Sequence, residues 1–69
     1  MRVWIVLCVP HFSSGDEDRE TMWELPAAFT TREAAEVAGA AEVARVQAQE
    51  SWRINREVTI ELRSFEVAA

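Results

Sequence analysis

The stretch that most constrains the fold is the first one, "MRVWIVLCVP", because apolar side chains occupy both sets of alternating positions. The two faces of a strand with this sequence would carry the following sets: Val3, Ile5, Leu7 and Val9 on one, and Trp4, Val6 and Cys8 on the other. A strand that is apolar on both faces has to be covered on both sides, so we expect it at the centre of a sheet. The apolar run stops at Pro10, too early for a membrane span.

Two more strands and one helix follow from the later patterns. The segment "HFSSGDEDRE" is rich in turn formers, and "TMWEL" after it predicts a second, short strand that ends at Pro26. Beyond a helix and the connection "SWRINR", alternation over residues 58–62 predicts a third strand. We therefore expect one α+β domain over residues 1–69. Its element order is ββαβ, and its three-stranded antiparallel sheet has the order 2-1-3 with the helix on one face.

The end of the third strand departs from this alternation. Phe65 and Val67 are out of phase with the apolar residues at positions 58, 60 and 62. A β-bulge near Arg63 or Ser64 would explain the slip, and so would a strand that ends there.

The helix is predicted from Thr31 to about Gln49, with Thr30 as N-cap and Glu33 closing a capping box. Gly39 is expected near the outer side of this helix. The face toward the sheet is predicted to carry small and β-branched residues at helical spacing: Ala34, Val37, Ala38, Ala41, Ala44 and Ala48.

Length and charge narrow the function classes. A chain of 69 residues buries a thin core, so association with a partner or with itself would add stability. The single cysteine excludes an intramolecular disulfide, which favours a cytoplasmic protein over a small secreted scaffold. The net charge of −5 disfavours direct binding to nucleic-acid phosphates.

The chemically suggestive motifs are incomplete. Asp16, Asp18 and Glu20 match the first ligands of an EF-hand loop, but the required glycine and the final acidic residue are replaced by Thr21 and Ala27. We therefore expect no metal site there.

The spacing of Cys8 and His11 resembles half a zinc site or a thiol with its base, yet a strand would point the two side chains to opposite faces. We expect no catalytic residue, no cofactor and no enzyme.

One helix covers one face of the sheet, so an apolar patch should remain on the other. The sequence leaves open which face this is, and it leaves open whether long side chains lie over the patch or a partner does. Trp4 and Trp23 lie on neighbouring predicted strands, where they could be close together. Val43 and Val46 lie off the predicted helix stripe and are candidates to extend an interface.

In its layout, the chain resembles small acidic α+β proteins of phages and mobile elements, among them anti-CRISPR proteins. The segments "MRVWIVLCV", "FTTREAAEVA" and "VTIELRSFEV" carry this resemblance as strand, capped helix and strand. It implies an inhibitor that occupies a basic, often nucleic-acid-binding, surface of a host protein.

Our leading hypothesis is thus a non-enzymatic protein-binding module, and the alternative is a homo-oligomer that buries its helix-free sheet face. A small enzyme or metal-binding protein is the third and least favoured hypothesis. The candidate partner-binding residues are four carboxylates of the turn and two aromatics: Asp16, Glu17, Asp18, Glu20, Trp4 and Trp23.

Overall fold

The computed structural model describes residues 1–11, 15–49 and 57–68. In these ranges the chain forms β1 (Arg2–His11), β2 (Trp23–Glu24), α1 (Arg32–Gln47) and β3 (Glu57–Glu66). The strands make one antiparallel sheet in the order β2-β1-β3, which confirms the predicted α+β fold and its ββαβ arrangement. The predicted connection "SWRINR" and residues 12–14 of the predicted turn lie outside the described residues.

The central strand β1 is longer than predicted, because it continues through Pro10 to His11. Trp4 exchanges two backbone hydrogen bonds with Phe29 on the β2 side, at 2.7 and 2.8 Å. Backbone groups alternate in direction along a strand, so even-numbered residues of β1 face the β2 side and odd-numbered residues face β3. The N–H that Pro10 lacks would point to the β2 side, at a position past the end of the short β2. Proline is tolerated in a strand at such a position, because no ladder hydrogen bond is lost.

β2 has two residues, fewer than the predicted "TMWEL". The backbone N–H of Leu25 still donates to the Val6 carbonyl at 3.0 Å, and pairing with β1 resumes at Phe29. Between these two contacts the segment around Pro26 advances four residues while β1 advances two, so the ladder is interrupted there.

The pairing of β1 with β3 is continuous over all ten residues of each strand. No residue is left over on either strand. The bulge predicted near Arg63 or Ser64 is therefore wrong, and so is the alternative that β3 ends there.

The helix begins one residue later than predicted. Thr31, and not Thr30, is the N-cap; its backbone is extended, and its hydroxyl accepts a hydrogen bond from the N–H of Ala34 at 3.1 Å. Glu33 is then the second helical residue and not the third, so the predicted capping box is wrong. The negative charge of Glu33 in the first turn still stabilises the helix through its interaction with the helix dipole.

The inner face of α1 is not the predicted one. The buried helix residues are Ala35, Gly39 and Val46, whereas Val37 of the predicted stripe is 71% exposed. Alanine occurs on every side of this helix and therefore gives no periodic signal. Val43 and Val46, expected as candidates for an interface, pack in or against the core instead.

Gly39 faces the sheet, contrary to its predicted outer position. A Cβ atom at this residue would lie 2.7 Å from Cδ1 of Ile60 and 3.2 Å from Cγ1 of Val6. The helix can approach β1 and β3 this closely only because the side chain is a hydrogen atom.

The core thus lies between α1 and the sheet face that carries Trp4, Val6 and Cys8, which settles the face that the sequence left open. Its buried members come from all three long elements: Val6, Cys8, Ala35, Val46 and Val58. Partly buried apolar side chains pack around them: Trp4, Trp23, Leu25, Phe29, Val43, Ile60 and Leu62.

Candidate protein-interaction surface

No helix in the described ranges covers the opposite face of the sheet, and an apolar patch lies there. Directly paired residues of two strands share a face, so Phe65 of β3 lies beside Val3 of β1. Met1 and Val67 extend this pairing by a backbone hydrogen bond of 2.7 Å. We call these side chains the open-face patch: Met1, Val3, Ile5, Leu7, Phe65 and Val67.

β3 contributes to both faces because its apolar positions change sides along the strand. Leu62 faces the helix, whereas Phe65 faces the open side. At the Phe65 end, the helix side of the sheet is polar: Arg2 donates to the Ser64 hydroxyl at 2.8 Å and pairs with Glu66 at 3.2 Å. Phe65 is therefore out of phase with Leu62 because the two side chains lie on opposite faces of an unbroken strand.

Charged side chains border the open-face patch. In the pairing register, Glu24 of β2 and Glu61 of β3 both lie opposite Leu7, and Arg63 lies opposite Ile5. A shallow groove beside Ile5 is lined by Glu24 and residues 25–28. An apolar centre with a charged rim is the composition of many protein–protein interfaces.

The acidic loop, which we define as residues 15–22, lies against the end of the sheet. Gly15 allows the chain to turn with φ of 92°, in the left-handed region. The N–H of Asp18 then donates to the Pro10 carbonyl at 2.8 Å, and the Thr21 hydroxyl donates to the Asp18 carboxylate at 2.8 Å. The loop therefore has a defined path, and its carboxylates have defined positions.

Arg19 holds the acidic loop over the open face. Its Nη2 donates to Oε1 of Glu61 at 2.6 Å, and its Nε donates to Oε2 of Glu17 at 2.8 Å. The hydrogen bond to Glu61, and then that to Glu17, raises the pKa of Arg19. The Arg19 guanidinium in turn lowers the pKa of Glu61.

His11 attaches the start of the loop to β3. Its Nε2 lies 2.8 Å from the Thr59 hydroxyl, and its Nδ1 lies 3.3 Å from the Gly15 carbonyl. A carbonyl only accepts, so Nδ1 donates to Gly15, and Nε2 forms the hydrogen bond with the Thr59 hydroxyl. Both ring nitrogens are thus used in positioning the loop.

The two predicted tryptophans lie on the helix side of the sheet. The ring of Trp4 packs against the core and lies 5.9 Å from the guanidinium of Arg32. Trp23 donates from Nε1 to Oε2 of Glu42 at 2.9 Å. The candidate partner-binding set is therefore divided: the carboxylates lie in the loop, where Glu17 is joined to the open face through Arg19, and the tryptophans adjoin the helix.

The remaining chemical candidates are separated as well. Cys8 is buried on the helix side, where burial and then the charge of Glu42 raise the pKa of its thiol. His11 lies on the opposite face, as predicted from their spacing. In the described part of the chain, no three His, Cys, Asp or Glu side chains converge as metal ligands.

Sequence reasoning missed Phe65, Val67 and the bond between Arg19 and Glu61. A prediction of β3 without a bulge would have placed Phe65 and Val67 on the face of Val3, since residues at even spacing along a strand share a face. The Arg19 contact joins residues 42 positions apart, and no local pattern indicates it.

Comparison with known proteins gives no further guide to this surface. No helix in the described ranges is both long enough and apolar enough to cross a membrane. No protein-family model, curated protein or solved structure matches the chain.

Proposed function

We propose that the chain is a non-enzymatic protein-binding module that holds a partner protein on the open-face patch. One observation carries this proposal. Among the described residues, the exposed large apolar side chains are Met1, Val37, Phe65 and Val67, and three of these four lie together in the patch. Contiguous exposed apolar side chains are typical of binding surfaces.

Charge favours a partner with a basic surface. The net charge is −5, Glu24 lies opposite Leu7 of the patch, and Asp16 and Glu20 of the acidic loop are exposed at the far end of the same sheet. Opposite charges accelerate encounter, and apolar burial then slows dissociation. A basic nucleic-acid-binding surface of a host protein has this character. Occupying it is the inhibitory mode that the resemblance to phage-encoded proteins implies.

A homo-oligomer that stacks two open faces is the second candidate, and the same patch favours it. The rim disfavours it, because in each copy the three carboxylates of Glu17, Glu24 and Glu61 outnumber the two guanidinium groups of Arg19 and Arg63. Like charges in contact across an interface reduce affinity. A basic partner meets no such repulsion, so we place it first.

The test replaces exposed patch residues and leaves the core intact. The variant is Phe65→Ser with Val67→Thr, and the control is Val37→Thr, which makes the Val67 substitution at an exposed valine of the helix. A partner captured from host lysate is identified, purified and measured by calorimetry against each variant. We expect the patch variant to bind at least about tenfold more weakly and the control to bind normally.

Electrostatic steering is measured separately. Replacing Asp16 by Asn and Glu20 by Gln should slow association and reduce its salt dependence, with little change in dissociation.

For the patch variant, Phe65→Ser with Val67→Thr, one outcome would contradict the proposal. A partner that binds this variant as tightly as it binds the wild type would show that the open face is not the binding surface.

A further inference from the structure

β3 has a second edge that carries no strand within the described residues. Since odd-numbered residues of β1 bond to β3, the odd-numbered residues of β3 point their backbone groups inward. The even-numbered residues therefore point N–H and C=O outward: Val58, Ile60, Leu62, Ser64 and Glu66.

This edge lacks three features that usually prevent strand addition: a short strand, a bulge and a proline. β3 is ten residues long, pairs with β1 without a bulge, and contains no proline. Long regular edges of this kind accept another strand. Its charged side chains are of both signs, with Glu61 and Arg63 on either side of Leu62.

We propose that a second copy of this chain pairs with this edge, β3 antiparallel to β3 about a twofold axis, to form a six-stranded sheet. Leu62 faces the partner's Leu62, and Glu61 faces the partner's Arg63 on both sides of the axis. Opposite charges directly across an antiparallel pair are stabilising. This dimer goes beyond the proposed function, because it uses the edge of the sheet and leaves the open face free.

The charges select this register over its neighbours. Moving the axis to residue 61 puts Glu61 opposite the partner's Glu61, and moving it to residue 63 puts Arg63 opposite the partner's Arg63. Both arrangements set like charges opposite each other. A register that pairs even with odd positions leaves outward hydrogen-bonding groups without facing partners.

The position of α1 is compatible with this dimer. The helix packs on both β1 and β3, so its axis lies over the gap between them. With strands about 4.8 Å apart, the two helices of the dimer would be about 10 Å apart on one side of the sheet. This is the ordinary spacing of packed helices.

The first test is sedimentation of the full chain across a wide micromolar concentration range. The wild type should dimerise, and Arg63→Glu should weaken dimerisation about tenfold or more, because two attractive pairs become repulsive. The double variant Glu61→Arg with Arg63→Glu should restore it. Glu24→Arg, on the opposite edge of the sheet, is the matched control and should leave it unchanged.

A second variant tests the backbone edge. Ser64→Pro removes an outward N–H without removing a bond to β1, and it should abolish the dimer. Ser64→Ala loses only the hydroxyl that binds Arg2 and should not. Circular dichroism verifies that each variant is folded. A wild type that stays monomeric, or a Ser64→Pro variant that still dimerises, would overturn the proposal.

The register is tested by disulfide formation. A mixture of the Glu61→Cys and Arg63→Cys variants should cross-link to each other on oxidation, while Cys8 is buried and does not take part. Cross-linking of Glu61→Cys to itself in preference to Arg63→Cys would contradict the proposed pairing.

Discussion

Trp23 and Glu42 connect the second strand to the helix through a hydrogen bond of 2.9 Å from the indole Nε1 to Oε2. The Glu42 side chain is only 14% exposed, and it also accepts from Nε of Arg45 at 2.6 Å. Because β2 has only two residues, this bond gives the strand an attachment that its own ladder does not supply.

We expect Trp23→Phe to lower the free energy of unfolding by about 1 kcal/mol, since it removes the indole donor and keeps an aromatic ring. Urea unfolding of Trp23→Phe, Glu42→Ala and the double variant measures the coupling. The double variant should lose less than the sum of the two single losses. Strict additivity would show that the bond does not contribute to stability.

Glu42 should also make the stability of the fold depend on pH. The hydrogen bond from Arg45, and then that from Trp23, lowers the pKa of Glu42. A carboxylate whose pKa is lowered by folding stabilises the folded state at pH values above its unfolded-state pKa. This stabilisation is lost as the pH falls through the lower, folded-state pKa. Relative to the wild type, Glu42→Gln should therefore be less stable at neutral pH, and the difference should disappear well below about pH 4. A difference that grows in acid would contradict this assignment.

Gly39→Ala should destabilise the protein although alanine favours helices. The gain in helix propensity is about 1 kcal/mol, whereas forcing a methyl group against packed side chains costs about 1 to 3 kcal/mol. A Cβ atom at residue 39 would lie 2.7 Å from Ile60 and 3.2 Å from Val6, so we expect the cost of this crowding to exceed the gain in helix propensity. We expect a net loss of about 1 kcal/mol in thermal or urea unfolding.

The cause of that loss can be separated from helix propensity. Ile60→Val removes the Cδ1 atom that lies closest to the new methyl group, so Gly39→Ala should be less harmful in that background. Ala40→Gly, at the exposed neighbouring position, reports propensity alone. Stabilisation by Gly39→Ala in the wild-type background would mean that the helix can move away from the sheet.

Arg19→Gln should loosen the acidic loop without unfolding the sheet. The variant removes the guanidinium that bridges Glu17 and Glu61, and the neighbouring Asp18 amide is bonded to Pro10. We expect faster hydrogen exchange at the Asp18 amide. Arg2→Gln, at the other end of β1, is the control and should leave this amide unchanged.

Cys8 should react slowly with thiol reagents in the native protein. It is fully buried, and its pKa is raised, so little of the reactive thiolate is present or accessible. A chromogenic disulfide reagent should modify it rapidly only in denaturant. Native reactivity equal to that of the denatured chain would show that the core opens readily.

The order and pairing of the strands could be predicted because they follow from strong local signals. A strand apolar on both faces has to be central, and a turn-rich connection makes its neighbour antiparallel. The helix face could not be predicted in the same way. Its alanines lie on all sides, and the inner stripe includes Glu42, which is polar and is accommodated only through Trp23 and Arg45.

The candidate surface was only partly predictable for a related reason. The sequence indicates that one sheet face stays open, but it does not choose between the Trp4 face and the Val3 face; in the structure the helix covers the Trp4 face, with Gly39 close to Val6 and Ile60. The contact between Arg19 and Glu61 depends on tertiary structure as well. Local patterns thus define the strands, and long-range packing decides which of their faces is available.

The position of Pro10 has a consequence for assembly. Both prolines of the chain, Pro10 and Pro26, lie on the β2 side of the sheet, where each removes a backbone donor, and β3 contains none. In the proposed dimer, strands are therefore added at the β3 border of the sheet and not at the border that carries the prolines. A pairing that uses this single border on each copy is complete with two chains, so it terminates as a closed pair and does not propagate into a fibre.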